Sequence, residues 1–423
     1  METRPSAPRG ILVAVLSAVL VAAGVLMNVT LSGAQTPQPT AGKLLAQGLQ
    51  GSIGGTIGPD GALYVPEGTL GRITRIDPAT GAGTTFASGL PPAKFGGAID
   101  VAFVGATAYV LVTLVEPAKA SGIYRMDSAS SFTVIADLGA YSLGHPPPYP
   151  IDVPTGVQYA LQPIAGGFLV SDGHHNRILN VTMAGAVTEQ IVFGNVVPTG
   201  LAVSGTKVYV AETGPVPHVP STGKIVSFDL SSPTATDVAS GYSVMIDVEL
   251  GPGGAIYALS QGDSPGDVAP ASPAKPSSGK LLRLNANGTF SVLVDRLNLP
   301  TSLDFIGDSA FVVTLNGEVW KIDNVSQLQP IAATATPAVS PTATRTTIPP
   351  TTAPPPATAT TAPPTAAPSA TAPVVAPRPP NTGTGGGPGG TGGSDLWLVL
   401  GAAVVLVAAS GSWVGAARRA RRR

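Results

Sequence analysis

GKIVSFD, residues 223–229, decides the fold: a glycine, an aliphatic residue two positions on, another apolar residue three beyond that, and a closing aspartate. Related stretches are GRITRID (71–77), GIYRMD (122–127), NRILNVT (176–182), GKLLRLN (279–285) and GEVWKID (317–323). A short apolar stretch bounded by turn residues is the pattern of a strand, and a period of about 40–50 residues is that of propeller blades. Ahead of each stretch lies another apolar strand: ALYV (62–65), AYVLV (108–112), GFLVS (167–171), KVYVA (207–211), AIYAL (255–259) and AFVVT (310–314). Six copies of each predict six blades.

A fourth strand closes five of the units, as TTFASGL (84–90), FTVIADL (132–138), TEQIVFG (188–194), TDVASGY (236–242) and FSVLVDRL (290–297). The sixth unit stops at Asp323 without one, and GKLLAQGL (42–49) is a spare strand at the other end of the body. The expectation is an all-β, six-bladed propeller of four-stranded blades whose first strand completes its last blade, which protects the sheet edges. Tyr64, Tyr109, Tyr209 and Tyr257 recur at one strand position and are read as blade packing.

Turns from first to second strand are short (GPDG, VGA, AGG, SGT, GPGG, GD), whereas the connections 138–154, 212–223 and 260–279 are long. These fall together on the opposite face of the ring. Long loops on a rigid scaffold are where binding usually resides, so that face is the candidate surface.

The chain has 423 residues, with 23 basic against 24 acidic ones, and five of the basic ones crowd into its last six positions. The body is mildly acidic, which argues against nucleic-acid binding. No cysteine is present, which excludes disulfides, thiolate metal sites and cysteine nucleophiles. Gly 52 and Pro 43 reflect many turns and a low-complexity tract.

The organisation follows from composition. Residues 1–34 read as a signal peptide: Arg4 and Arg9, an apolar run from Ile11 to Met27, and small residues favouring cleavage after Ala34. An uncleaved N-terminal anchor is the other reading; both export the body. After a linker (35–41) comes the propeller (42–330), then a Pro/Thr- and Gly-rich stalk (331–395), a transmembrane segment (396–417) and a basic cytoplasmic tail (418–423). The tract from Ala333 to Pro380 lacks aromatic residues and is expected to be disordered, favouring polyproline II at about 3.1 Å per residue. Positive residues after the apolar run keep the tail inside and the propeller outside.

PPNTG (379–383) precedes the last apolar run and resembles the L-P-x-T-G sorting signal at Pro380, Asn381, Thr382 and Gly383, with Pro379 in place of leucine. The resemblance implies cleavage between Thr382 and Gly383 and attachment to the cell wall. A permanent membrane anchor is the alternative.

The four histidines, His145, His174, His175 and His218, all fall on the long-loop face, with Asp172 and Glu212 opening two of the same loops. Imidazole with carboxylate suits Zn²⁺ or general acid–base hydrolysis, although the spacing matches no fixed metal motif. These residues are candidates for ligand binding, with a solvated loop face as the plainer reading. Asp100 and Asp247 occupy matching positions in blades two and five and are candidates for a channel cation such as Ca²⁺. Alternatively, each fixes its strand entry by accepting backbone N–H bonds. No G-x-S-x-G elbow, phosphate loop or dinucleotide fingerprint occurs in context.

From Gly42 to Asp323 the chain resembles the ScyD/ScyE family of exported six-bladed propellers, relatives of the NHL-type repeats. The residues that carry this are VPTG at 153–156 and 197–200, IDVAFVG (99–105), IDVELGPGG (246–254) and the turn DGHHN, Asp172 to Asn176. The resemblance implies the fold and adds Asn176 to the candidate ligand residues; it implies no general activity. Two functions therefore stand: a non-catalytic, surface-displayed binding module for a glycan, peptide or small molecule, or an exported metal-dependent hydrolase of lactonase type.

Overall fold

Each repeat closes into one antiparallel sheet in which every strand runs back along its predecessor, through tight turns on one face and, in blades four and five, through long connections on the other. This holds in the computed structural model, which describes residues 38–215, 219, 221–266 and 272–331. Strand β1 (Lys43–Gln47) comes first. Blade one is β2 (Thr56–Ile57), β3 (Leu63–Glu67), β4 (Arg72–Ile76) and β5 (Gly83–Ser88), ordered from the channel outward. Blade two is β6 (Gly97–Val104), β7 (Thr107–Thr113), β8 (Gly122–Met126) and β9 (Phe132–Asp137). Blade three is β10 (Gln158–Ile164), β11 (Gly167–Asp172), β12 (Arg177–Thr182) and β13 (Val187–Val192). Blade four is β14 (Pro198–Ser204), β15 (Lys207–Glu212), β16 (Gly223–Asp229) and β17 (Ser232–Tyr242). Blade five is β18 (Met245–Leu250), β19 (Ile256–Ser260), β20 (Gly279–Leu284) and β21 (Phe290–Leu297).

Blade six holds β22 (Pro300–Ile306), β23 (Ser309–Thr314) and β24 (Glu318–Ile322), and its fourth strand is β1, paired antiparallel with β24. The spare strand at the start of the body thus completes the last blade. The ends are held further on blade five: Thr40 N donates to Asp295 O at 3.0 Å and Ile331 N to Val292 O at 2.8 Å. Ile331 follows the turn at Val325, which bonds Asp308 O in the short β22–β23 turn. The described chain therefore leaves from the rim of the short-turn face, opposite the long loops.

The core lies between blades. Tyr64 meets Phe103 of the next blade at 4.8 Å between ring centroids, Tyr109 meets Phe168 at 4.8 Å, and Tyr257 meets Phe305 at 4.9 Å. Edge-to-face and tilted contacts of this kind add to the area they bury. Connection 138–154, expected as loop, begins as helix α1 (Leu138–Gly144). Asp137 caps it by accepting the Ala140 N–H, and Leu138 and Ser142 are buried beneath it.

Five innermost strands carry a register irregularity near their start, between Ala98 and Asp100, Gln158 and Leu161, Pro198 and Leu201, Met245 and Asp247, and Pro300 and Ser302. A bulge re-aims the following side chain, and these set the walls of the channel. Among the described residues no helix is long and apolar enough to cross a membrane. The expected spans, stalk, tail, Ala34, Thr382 and Gly383 lie outside the described residues.

Candidate functional site

Strand register sorts the inner wall into levels. Asp100 and Asp247 share one with Gly54, Ala160, Gly200 and Ser302; two residues on, Thr56, Ala102, Gln162, Ala202, Glu249 and Asp304 form the next. Three of these levels' carboxylates reach across to a neighbouring blade. Asp100 accepts Val101 N at 2.9 Å and Leu161 N of blade three at 2.7 Å. Asp247 repeats this with Val248 N at 2.9 Å and Leu303 N of blade six at 2.7 Å. Asp304 accepts the Ile57 N–H of blade one. Gly54 and Gly200 precede the first two because a Cβ at either would overlap the facing aspartate Oδ1. Asp100 and Asp247 thus staple adjacent blades through both oxygens, which is the turn-fixing arrangement rather than a cation cage.

Burial pushes the Asp100 carboxyl up to about 8, against the pull of the Leu161 and Val101 N–H groups. Asp247 is raised well above the ordinary range by burial and then by Glu249. Glu249 is pushed up to about 8 by burial and by Asp304, and Asp304 to about 7 by burial. Among the described residues no group of three or more histidine, aspartate or glutamate side chains stands close enough to hold a metal ion.

Above the staples, on the long-loop face, the channel opens into a separate cavity of about 190 Å³. Its wall is apolar, built from Ile53, Phe95, Ile99, Val157, Val197 and Ile246, and the described lining includes no carboxylate, lysine or arginine. Polar edges come from Gln158, Gln261, Thr113 and Thr213, and His174 stands at the same wall. Leu114 and Val244, also in the lining, hold left-handed backbone at φ 51° and 46°. For a β-branched residue such as Val244 that conformation is strained, and strain of this kind gathers at ligand sites.

The three described histidines do not share one site. His174 lines the apolar mouth. His145 lies on the outside, stacked on Tyr141 at 4.1 Å between ring centroids, with Nδ1 against Tyr141 O. His218 lies outside the described residues. His175 is fully buried, with Asp172, in a knot around Arg177.

In that knot Arg177 donates from Nε to Asp172 Oδ2 at 3.0 Å, from one terminal nitrogen to Glu189 Oε1 at 2.6 Å and His145 O at 2.9 Å, and from the other to Ser142 Oγ at 2.9 Å. The last nitrogen also faces His175 Nδ1 at 3.0 Å, so that ring atom accepts, and the ring's Nε2–H points to Val153 O at 3.3 Å. Burial lowers the His175 pKa, in keeping with a neutral ring. Asp172 is raised by burial and pulled back by His175 and Arg177.

Asn176 is the left-handed residue, φ 54°, that turns the chain into β12. Glu212, 2% exposed, is pushed up to about 7 by burial and faces Lys224 at 3.7 Å. The candidates Asp172, His175, Asn176 and Glu212 are therefore inside the fold, at positions that fasten loops and strand ends. Their acid–base pairing repeats an architectural device: Glu67–Arg72, Asp172–Arg177 and Glu212–Lys224 are each directly opposed on the second and third strands of a blade. The residues not singled out from sequence are Arg177, Glu249, Asp304 and Gln158. Glu249 was recoverable by stepping two residues from Asp247 along one strand.

No family model matches the chain, and no curated protein matches it. Among solved structures it is similar to the PQQ-bound aldose sugar dehydrogenase of Streptomyces coelicolor, at 13% identity over 68% of this chain and 98% of that one, TM-score 0.46. It is similar to regucalcin of Agrobacterium tumefaciens, described as a calcium-binding protein, at 15% identity over 67% and 93%, TM-score 0.47. A gluconolactonase of Xanthomonas campestris matches at 11% identity over 66% and 88%, TM-score 0.47. These are likenesses at the level of the fold, and no activity passes from them to this chain.

Proposed function

We propose that the protein is an exported, surface-displayed binding propeller that takes a small uncharged group, a ring or a branched aliphatic side chain, into the apolar mouth on its long-loop face. The carrying observation is that mouth: about 190 Å³, walled by residues from the inner strands of all but one side of the ring and bare of charge among the described residues. A dry apolar cavity of about 150 Å³ is enough to hold benzene. The site's amides and hydroxyls supply orientation, as in ligand pockets generally. Whether the tail is sorted at Thr382 or retained is read from the mass of the surface form, since an intact Arg423 excludes sorting.

The alternative, a hydrolase, is favoured by one observation, the imidazole of His174 at the mouth. Ligand-observed NMR with indole and N-acetyl-leucinamide separates the readings. Saturable binding by wild type that disappears in His174→Trp, which fills the mouth, supports the binding module. Absence of saturable binding by either probe, or binding indifferent to His174→Trp, rejects it. A turnover in an ester and lactone panel that is lost in His174→Ala establishes the enzyme instead.

A further inference from the structure

Below the staples, on the short-turn side, the channel holds a second cavity of about 340 Å³. Asp100, Asp247, Glu249 and Asp304 line it, and among the described residues no lysine, arginine or histidine does. Four carboxylates facing one space without a cation repel one another, and a low-dielectric wall strengthens that repulsion.

A second observation points to what is missing. Asp304 Oδ2 is buried and accepts no hydrogen bond from the described residues; Asp172 Oδ1 and Glu212 Oε2 share that state, but their carboxylates face Arg177 and Lys224, whereas Asp304 faces no cation among the described residues. A buried carboxylate oxygen without a donor is costly, and such a group in a folded protein calls for an ion or ligand. The spacing then selects the kind of cation. Since no three of these groups stand close enough to share one metal ion, the charges are met best by a cation spread over several atoms. The same cavity offers apolar surface at Leu250 and Phe305 for the carbon chain between such charges.

We propose that this lower chamber binds a compact organic polycation, an alkyl diamine or triamine, with one ammonium at Asp304 and another at Glu249, and its methylenes against Leu250 and Phe305. Ammonium donors supply charge-assisted bonds to Asp304 Oδ2. Asp100 and Asp247, whose oxygens are engaged with backbone, contribute field rather than contacts. This chamber adjoins the apolar mouth through Ile53, Tyr159, Thr199, Ile246 and Thr301, but the carboxylates line the chamber alone, so a cationic probe tests it apart from the binding function.

Calorimetric titration of the purified full-length protein with putrescine and spermidine, beside CaCl₂ and MgCl₂, is the experiment. Saturable amine binding that weakens with NaCl is expected. Asp304→Asn and Glu249→Gln are each expected to weaken it by at least about tenfold, as for loss of one partner of a desolvated charge pair. Thr56→Lys tethers an ammonium at the level of Asp304 and is expected to raise the melting temperature and abolish amine binding, which guards against a variant that merely misfolds. No saturable amine heat in wild type overturns the proposal. So does calcium binding with the amines silent, or amine binding unchanged in Thr56→Lys.

Discussion

Asp172, fully buried, and Asp304, half-buried with its Oδ2 enclosed, are both carboxylates that burial lifts above the ordinary aspartate range, yet they belong to opposite designs. Asp172 sits on the long-loop side with a guanidinium 3.0 Å away, and its partners Ser142 and His175 are shared with the same arginine. Asp304 sits in the lower channel with a backbone N–H and other carboxylates, and its Oδ2 has no donor. Asp172 Oδ1 lacks a donor as well, so what separates the two is the cation: a carboxylate paired with a guanidinium from within fastens the fold, whereas one without a cation among the described residues raises its energy and reserves the place for a ligand. The difference is one of partners, since burial is common to both.

The largest expected effect breaks the satisfied side. Arg177→Met leaves Asp172 as an unpaired buried charge and frees α1 and the 145–153 segment from their anchor. A loss of about 3–5 kcal/mol is expected, the usual cost of removing one partner of a buried ion pair, read by urea denaturation at neutral pH. An Arg177→Met protein as stable as wild type would refute the anchoring role.

The unmet side is expected to respond with the opposite sign. A carboxyl whose folded pKa is raised binds its proton more tightly when folded, so stability is greatest below the unfolded value near 3.8 and falls as pH rises toward the folded value, about 7 for Asp304. Asp304→Asn keeps an acceptor for the Ile57 N–H while removing the charge. In amine-free buffer it is expected to gain on the order of 2–3 kcal/mol over wild type at pH 8 and nothing at pH 4, measured by denaturation at both values. A gain at pH 4 equal to that at pH 8 would show that charge is not the cause. The smallest effect is expected from the His145 side chain, which is exposed and joins the Arg177 knot only through its backbone carbonyl, a group that alanine keeps: His145→Ala changes stability by less than about 0.5 kcal/mol and leaves indole binding intact.

The fold was legible because blades repeat. Six strands like GKIVSFD, a unit lacking its last strand and a spare strand at 42–49 specify the ring and its closure, and β1 pairs with β24 accordingly. The site was legible only in part. The long loops do share one face, but the described histidines on them are sent to three different environments: a cavity wall for His174, a buried knot for His175 and an outer stack for His145. Neighbouring positions such as His174 and His175 point apart because the turn at Asn176 is tight, and composition carries no record of that.

Apolar patterning, glycine turns and blade spacing are local properties, so the sequence alone determined strands, their number and the ring that closes them. Which carboxylate meets a cation is not local. Arg177 reaches Asp172 five residues away and Ser142 thirty-five away, while Asp304 finds Gly55 and Ile57 across the closing seam of the ring. Only the tertiary structure brings those groups together, because charge interactions depend on distance and burial in space, and neither follows from separation along the chain.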